Sequence, residues 1–343
     1  MPAVNSGKVL VTGANGFIAA WVVKTLLDEG YAVRGTARSE SKGAHLKEIF
    51  KEYGDKFEFV VVEDITREGA FDDAVKGVDA IEHTASPFHF AVDDPAELIT
   101  PAVAGTGSVL QSAFKHGTQV KRVVVTSSVA AVLEILPDPP VFTEEHWNGQ
   151  AVKNVEEKGK DASPADKYRA SKTLAEKAAW AFVQNNKAKI TFDLVVVNPP
   201  MVMGPVLHEV TDPEKLNTSM LDWYKTVIKG ARTNEELFTV SSSWVDVRDL
   251  AVAHVLAIQK EEAAENRFII SAGAYVWQEW VNVAHAQDSN LVAGDPNADL
   301  SKVFYPMRYD TSKADRVLGI KYRTMKETTK DILGQFREKG WIQ

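Results

Sequence analysis

The chain of 343 residues contains no cysteine. That excludes disulfides, thiol nucleophiles and zinc-thiolate centres together, while leaving the compartment open. Its eight histidines are scattered and show no His-Glu-x-x-His or other ligand spacing, so no metal site is expected. Positive charge is in the minority, with 39 Lys and Arg against 47 Asp and Glu for a formal charge of -8. Such a balance lacks the cationic face that releases counterions from a phosphate backbone, and nucleic acid is not an expected partner. No uninterrupted apolar run approaches the ~18 residues that span a bilayer, and the first residues carry no charged head followed by an apolar signal core. No membrane association is expected, and the expected location is cytoplasmic.

What the chain does contain is the make-up of an ordinary globular protein, 45% apolar and 25% charged, with no repeat at solenoid spacing. Residues 8–12 (KVLVT) read as a strand closed by glycine, and 17–27 then set apolar residues at helical spacing until Glu29 and Gly30 end the element. Further strands are read at 31–38, 57–63, 78–84 and 121–127, with helices around 42–53, 67–76 and 95–116 between them. Strands that alternate with helices connect through crossovers, which makes the sheet parallel, right-handed in connection and covered on both faces. Near-continuous Val and Ile agree with burial from both sides. The expected class is therefore α/β, a doubly wound parallel sheet of Rossmann type. The stretch 133–165, rich in proline and charge, reads as a surface excursion; a helix at 164–187 and a buried strand at 191–197 follow. Helices near 214–230 and 275–287, with the tail 310–339, suggest a smaller lobe, while 237–272 (strand, helix 247–259, strand) reads as rejoining the main sheet. The expected division is a dinucleotide domain of 1–200 with 237–272, interleaved with a substrate lobe of 201–236 and 273–343.

The first strand runs into VTGANGFIAA. In a strand-to-helix turn Gly13 can take backbone angles closed to other residues, and Gly16 lets a diphosphate approach the helix N-terminus with no Cβ in the way. Ala19 stands where dinucleotide fingerprints usually carry a third glycine and is small enough for helix-strand packing. After the second strand, where an acidic residue would bond the ribose 2'-hydroxyl of NAD, this chain offers Arg34, Arg38 and then Lys42. Cations there suit a 2'-phosphate, which favours NADPH; Glu40 between them keeps NADH in play. Asp64 after the third strand fits either a bond from the adenine amine or a cap on the next helix.

The fifth strand ends in Thr126-Ser127-Ser128, and Tyr168-Arg169-Ala170-Ser171-Lys172 lies on an expected helix. Residues four apart share a helix face, so Tyr168 and Lys172 can look into one cleft. A phenol with an ordinary pKa near 10 would be lowered by the ammonium and exchange protons near neutrality. A serine hydroxyl at the strand end would hold a carbonyl oxygen as charge builds; on residue grounds either serine of the pair could point inward. Phe88 and Phe90 after the fourth strand fit a carbonyl pocket or plain packing equally, whereas Trp223 and Tyr224 read more readily as core than as a cover over substrate.

Taken together, TGANGFIA, DIT at 64–66, HTASP at 83–87, TSS, YRASK, VNPP at 197–200 and WVDVRDLA at 244–251 resemble the extended short-chain dehydrogenase/reductases. Within them the chain is similar to the dihydroflavonol-reductase-like branch, especially fungal NADPH-dependent aldehyde, ketone and methylglyoxal reductases. The resemblance implies that Ser128 orients the substrate oxygen, Tyr168 protonates it, and Lys172 bonds the nicotinamide ribose. It implies cofactor contacts from Gly13, Asn15, Gly16, Phe17 and Ile18, from Arg38 and Lys42, from Asp64 and Ile65, and from Thr84, Ala85 and Ser86. Further contacts are implied from Thr126, Tyr168, Lys172, Pro199 and Val202. The expected activity is reduction of a small carbonyl compound (aryl ketone, ketoester, aldehyde or 2-oxoaldehyde) by a monomer or homodimer. A sugar-nucleotide epimerase or dehydratase of the same fold, and a non-catalytic dinucleotide sensor, are the rival readings.

Overall fold

Valine-rich runs of five or six residues, each stopped by a turn, settle into a sheet because both their faces can be buried at once. The computed structural model describes residues 3–86, 92–295 and 297–343, so Phe88 and Phe90 lie outside the described residues. Its strands are β1 (Lys8–Thr12), β2 (Ala32–Ala37), β3 (Phe57–Val61), β4 (Ala80–His83), β5 (Arg122–Thr126), β6 (Asp193–Asn198), β7 (Met201–Met203), β8 (Ser241–Asp246), β9 (Arg267–Ile269) and β10 (Gly273–Val276). Seven of them form one parallel sheet in the order β3-β2-β1-β4-β5-β6-β9. The chain moves outward from β1 to β3 and then restarts at β4 on the other side of β1. The carboxyl ends of β1 and β4 therefore flank a switch point, where doubly wound sheets open a crevice.

Helices α1 (Phe17–Asp28), α2 (Glu40–Ile49), α3 (Ala96–His116), α4 (Gly149–Lys158), α5 (Pro164–Asn186), α6 (Thr218–Trp223), α7 (Asn234–Thr239), α8 (Val247–Gln259), α9 (Trp277–His285), α10 (Ser312–Val317) and α11 (Met325–Glu338) complete the chain. α1 packs against α8, while α3 packs against α5 and α5 against α4. The start of α5 is written locally: the Ser163 hydroxyl accepts from the Asp166 N–H, and Pro164 occupies the first turn, where its missing N–H costs nothing.

Two readings need correction. Residues 65–77 form successive turns rather than a helix. Gly69 breaks the run at φ +73, and the carbonyls of Ala74 and Lys76 bond the Arg34 guanidinium instead of continuing a ladder. β8 does not rejoin the main sheet; it pairs with β7 and β10 in a second, three-stranded sheet, and only β9 adds to the first. The excursion after β5 runs largely over the surface, as expected, and is anchored: Phe142 is 2% exposed and bridges Tyr309, and the stretch contains α4, capped by Asn148. Trp223 and Tyr224 are core residues. Trp223 meets Trp280 edge-on at 6.2 Å, and Trp280 meets Trp244 at 4.8 Å, so the aromatic cluster cements α6 and α9 to the second sheet.

Candidate active site

The turn after β1 is shaped by backbone approach. Gly13 has φ +65, and a Cβ there would lie 3.1 Å from Ala85 Cα; Gly16 has an ordinary φ, but its Cβ would meet the Gly13 carbonyl at 3.2 Å. β2 braces the turn from the side, the Gly13 N–H donating to Thr36 Oγ1 and the Ala14 N–H to the Thr36 carbonyl. Gly16 caps α1 without a side-chain bond, so the N–H groups at Phe17 and Ile18 are left for another acceptor. Asn15 and Ile18 are partly exposed at this lip, while the Phe17 ring turns inward onto His208 at 5.5 Å. A phosphate seated on backbone N–H groups is what such a cradle accommodates, and the donor set fits a dinucleotide.

Arg38 and Lys42 sit just past β2, exposed and with no ion-pair partner among the described residues. Arg34 is turned to Glu58 and to the carbonyls of Ala74 and Lys76, which take its Nε and Nη1 groups. Asp64 caps no helix: its Oδ1 accepts from the Thr66 N–H and hydroxyl in an Asx turn, which holds the carboxyl below its usual range. Ile65 beside it packs over Gly105 of α3.

At the carboxyl edge of β4 and β5 the side chains divide sharply by burial. His83, Ser127 and Asn198 are sealed, whereas Thr84, Ala85, Ser86, Ser128, Tyr168 and Lys172 keep an exposed edge. The Thr84 hydroxyl bonds the Thr12 carbonyl, and the Ala85 N–H bonds Thr12 Oγ1 at 3.1 Å, which ties β4 to the glycine turn. Thr126 turns its hydroxyl to His254 Nε2 at 3.3 Å, and His254 Nδ1 in turn lies 2.7 Å from the buried Glu82 carboxylate. Val202 is 6% exposed within the core, and Pro199 offers its carbonyl to the Ser128 hydroxyl at 3.4 Å.

The choice between the serines is decided by their partners. Ser127 donates to Glu176 at 2.6 Å on the buried side, whereas Ser128 bonds the Tyr168 hydroxyl. Lys172, one turn beyond Tyr168, donates to Ser86 Oγ at 3.1 Å and stands 5.9 Å from the Tyr168 ring centre. The expected lowering of the phenol is overturned. Burial pushes Tyr168 up to about 12, with the Ser128 hydrogen bond offsetting only part of it. Burial also pushes Lys172 down to about 8, against the opposing pull of Glu176. His83, below them and bonded to Thr12 Oγ1 at 3.0 Å, is driven down to about 3 by burial and then by Lys172, so it stays neutral.

The chain as a whole also has counterparts among known proteins. Residues 9–273 match the profile of the NAD dependent epimerase/dehydratase family. The chain belongs to this family. The NADPH-dependent methylglyoxal reductase of Saccharomyces cerevisiae is 34% identical, over 95% of this chain and 97% of that protein. A ketoreductase of Aspergillus niger is 36% identical, over 97% and 98%. The crystal structure of yeast methylglyoxal/isovaleraldehyde reductase complexed with NADPH superposes with a TM-score of 0.85 and 34% identity, covering 98% of this chain and all of that one.

Two contributors to the site escaped sequence reasoning. Glu176 follows Lys172 at the same spacing that links Tyr168 to Lys172, a signal that was present in the chain. Lys167, 3% exposed, bonds the carbonyls of Asp93 and Lys160 and fixes the segment entering α3 beside Tyr168; nothing in its local pattern set it apart from a surface lysine.

Proposed function

We propose that this chain is an NADPH-dependent carbonyl reductase that converts small aldehydes and ketones to alcohols with Ser128, Tyr168 and Lys172 at the reacting centre. The observation that carries the reading is the hydrogen-bonded Ser128–Tyr168 pair with Lys172 on the same helix face, at the strand ends beside the glycine turn. NADPH, when bound, supplies the hydride that reduces the carbonyl carbon. Ser128 Oγ donates to the substrate oxygen and strengthens that bond as negative charge gathers there. Tyr168 then gives up its phenolic proton. A phenol near 12 is fully protonated at neutral pH, and an oxygen on its way to alkoxide is a stronger base than phenolate, so the transfer runs downhill. Lys172 Nζ, which here donates to Ser86, would hold the ribose of the bound cofactor, and its charge stabilises the phenolate left behind. With its pKa near 8, ammonium outnumbers amine about tenfold at pH 7, and reduction declines as pH rises through about 8.

The cradle of Gly13, Gly16, Phe17 and Ile18 would hold the diphosphate, and Arg38 with Lys42 the 2'-phosphate. Beneath Ser128 the packing is apolar, a buried cluster of Val129, Val132, Leu133, Phe142 and Ile269 with Met307 against it. The relatives named for methylglyoxal and ketone reduction support carbonyls of modest size, such as aryl ketones, ketoesters and 2-oxoaldehydes. The test is loss of nicotinamide absorbance with NADPH and with NADH against a panel of these carbonyls. Turnover with at least one carbonyl is expected, faster with NADPH. No turnover of any carbonyl, together with epimerisation of a nucleotide sugar, would overturn the reading.

A further inference from the structure

Two buried arginine–carboxylate pairs involve arginines of the main sheet, and their wiring differs. At the amino edge, Arg122 grips Asp193 with two parallel bonds of 2.6 and 2.9 Å and gives its remaining group to the carbonyls of Ala257 and Lys260. That pair is saturated and structural. At the carboxyl edge, Arg267 reaches Glu176 through Nε alone, gives Nη1 to the carbonyls of Glu144 and His146 and stacks on Trp147 at 3.7 Å, while its Nη2 is buried with no hydrogen-bond partner among the described residues. The Glu176 carboxylate, 1% exposed, is shared instead: Oε2 accepts from Ser127 at 2.6 Å and Asn198 at 2.9 Å, and Oε1 accepts also from Trp180 at 3.3 Å. Asn198 uses the same amide to bond the Ser128 carbonyl at 3.1 Å. A buried ion pair is weak evidence for stability, since desolvation consumes most of its attraction. An arrangement that leaves one arginine nitrogen unpaired is poorer still, and it asks for another role.

We propose that Glu176 is a positioning residue for the reductase chemistry: its carboxylate fixes the strand ends that carry Ser128 and supplies the negative charge that keeps Lys172 an ammonium. This rests on the reading above. Glu176 reaches Ser128 through Asn198 from β6 and through Ser127 just after β5, and it lies on α5 one turn beyond Lys172. The charged or titratable groups around the two are few. β9 brings Arg267, β4 brings His83, and α5 itself brings Tyr168. The buried faces of α3 and α4 carry no charged side chain. Glu176, one turn further along α5, opposes the desolvation of Lys172.

The experiment uses two substitutions of opposite sign. Glu176→Gln keeps the shape but removes the negative charge and exchanges one acceptor oxygen for a donor, so kcat should fall and the alkaline limb of kcat/KM should move to lower pH by about one unit or more. Arg267→Met leaves Glu176 unneutralised and should move the limb upward. Ser127→Ala removes a bond to the same carboxylate without altering charge, so it should lower kcat and leave the limb in place. The Lys172 ammonium is followed in parallel by NMR titration of isotopically labelled lysine, its signal identified by loss in Lys172→Met, which needs no turnover. Shifts of opposite sign support the proposal; a common loss of activity with unmoved limbs and an unmoved Lys172 titration overturns it. Should Glu176→Gln fail to fold, an unmoved titration in Arg267→Met overturns it alone. Absence of carbonyl turnover in the unmodified protein would instead sink the reductase reading, while the titration still judges Glu176.

Discussion

The two ends of the cleft are built by opposite rules. Around Tyr168 nearly every polar atom is answered by protein: Ser128 by Tyr168 and Pro199, Ser127 by Glu176, Lys172 by Ser86, His83 by Thr12. Around Arg38 and Lys42 the cations stand exposed. Burial at the first end shifts proton affinities and locks rotamers, which chemistry requires, since a group that must reorganise in the transition state contributes little. Exposure at the second end leaves long side chains free to close on a phosphate at modest cost, which suits affinity and cofactor choice. Damage at the first end should therefore appear in kcat and damage at the second in cofactor KM.

The largest effect is expected from Tyr168→Phe. It removes one oxygen, leaves the ring in place, and should lower kcat by about 10²–10⁴-fold while NADPH still binds, as measured by steady-state kinetics beside a fluorescence titration of NADPH. Turnover within tenfold of the unmodified protein would break the contrast at its strongest point. Gly13→Val comes next, at the joint between the two ends. A β-branched residue at φ +65 is strained by about 1–3 kcal/mol, and its Cβ would press on Ala85. Loss of NADPH binding together with a lower unfolding midpoint is expected; unchanged binding would show that the coenzyme does not need this close approach.

Much of this arrangement was legible before any coordinates. The alternation of Val-rich runs with helical periods fixes a parallel sheet, and the glycine spacing and the YRASK run announce the cleft because backbone approach and helix-face sharing are local matters. What was not legible depends on partners distant in sequence. SSSWVD has the same pattern in either sheet, so nothing local says that β8 joins β7 and β10. The run 67–76 looks helical until Arg34, from another strand, claims its carbonyls. Tyr168 illustrates the limit most clearly: spacing brings Lys172 onto its face, but the depth of burial, which raises the phenol instead of lowering it, is a property of the assembled fold.

The adenosine end offers a smaller and more selective effect. Arg38→Ala removes a charge-assisted contact of about 1.5–3 kcal/mol, so KM for NADPH should rise about 10–100-fold while KM for NADH barely moves. Lys42→Ala should cost less, about 0.2–1 kcal/mol, because an exposed ammonium acts as a screened point charge. Equal losses with both coenzymes would mean that these cations hold the loop and do not read the 2'-phosphate. Raising the salt concentration should shrink the difference between the coenzymes, without touching the defect of Tyr168→Phe.

The smallest effect separates the ends by acid. His208, packed on Phe17 beside the glycine turn, is pushed down to about 4 by burial and then by His45 and Lys339, and its Nδ1 is buried without a partner. An unfolded histidine titrates near 6.5, so between 6.5 and 4 the unfolded chain binds the extra proton. Stability is thus complete above pH 6.5 and falls as pH drops through that window. At pH 5.5 the loss from this one group is roughly 1 kcal/mol. His208→Gln cannot take up the proton, so its unfolding free energy in urea should fall by roughly 1 kcal/mol less between pH 7.5 and 5.5 than that of the unmodified protein. His83 lies lower, at about 3, and belongs to the bonded end, so its contribution remains in the variant and sets the residual slope. An unchanged slope in His208→Gln would place the acid sensitivity wholly at the bonded end, under Lys172.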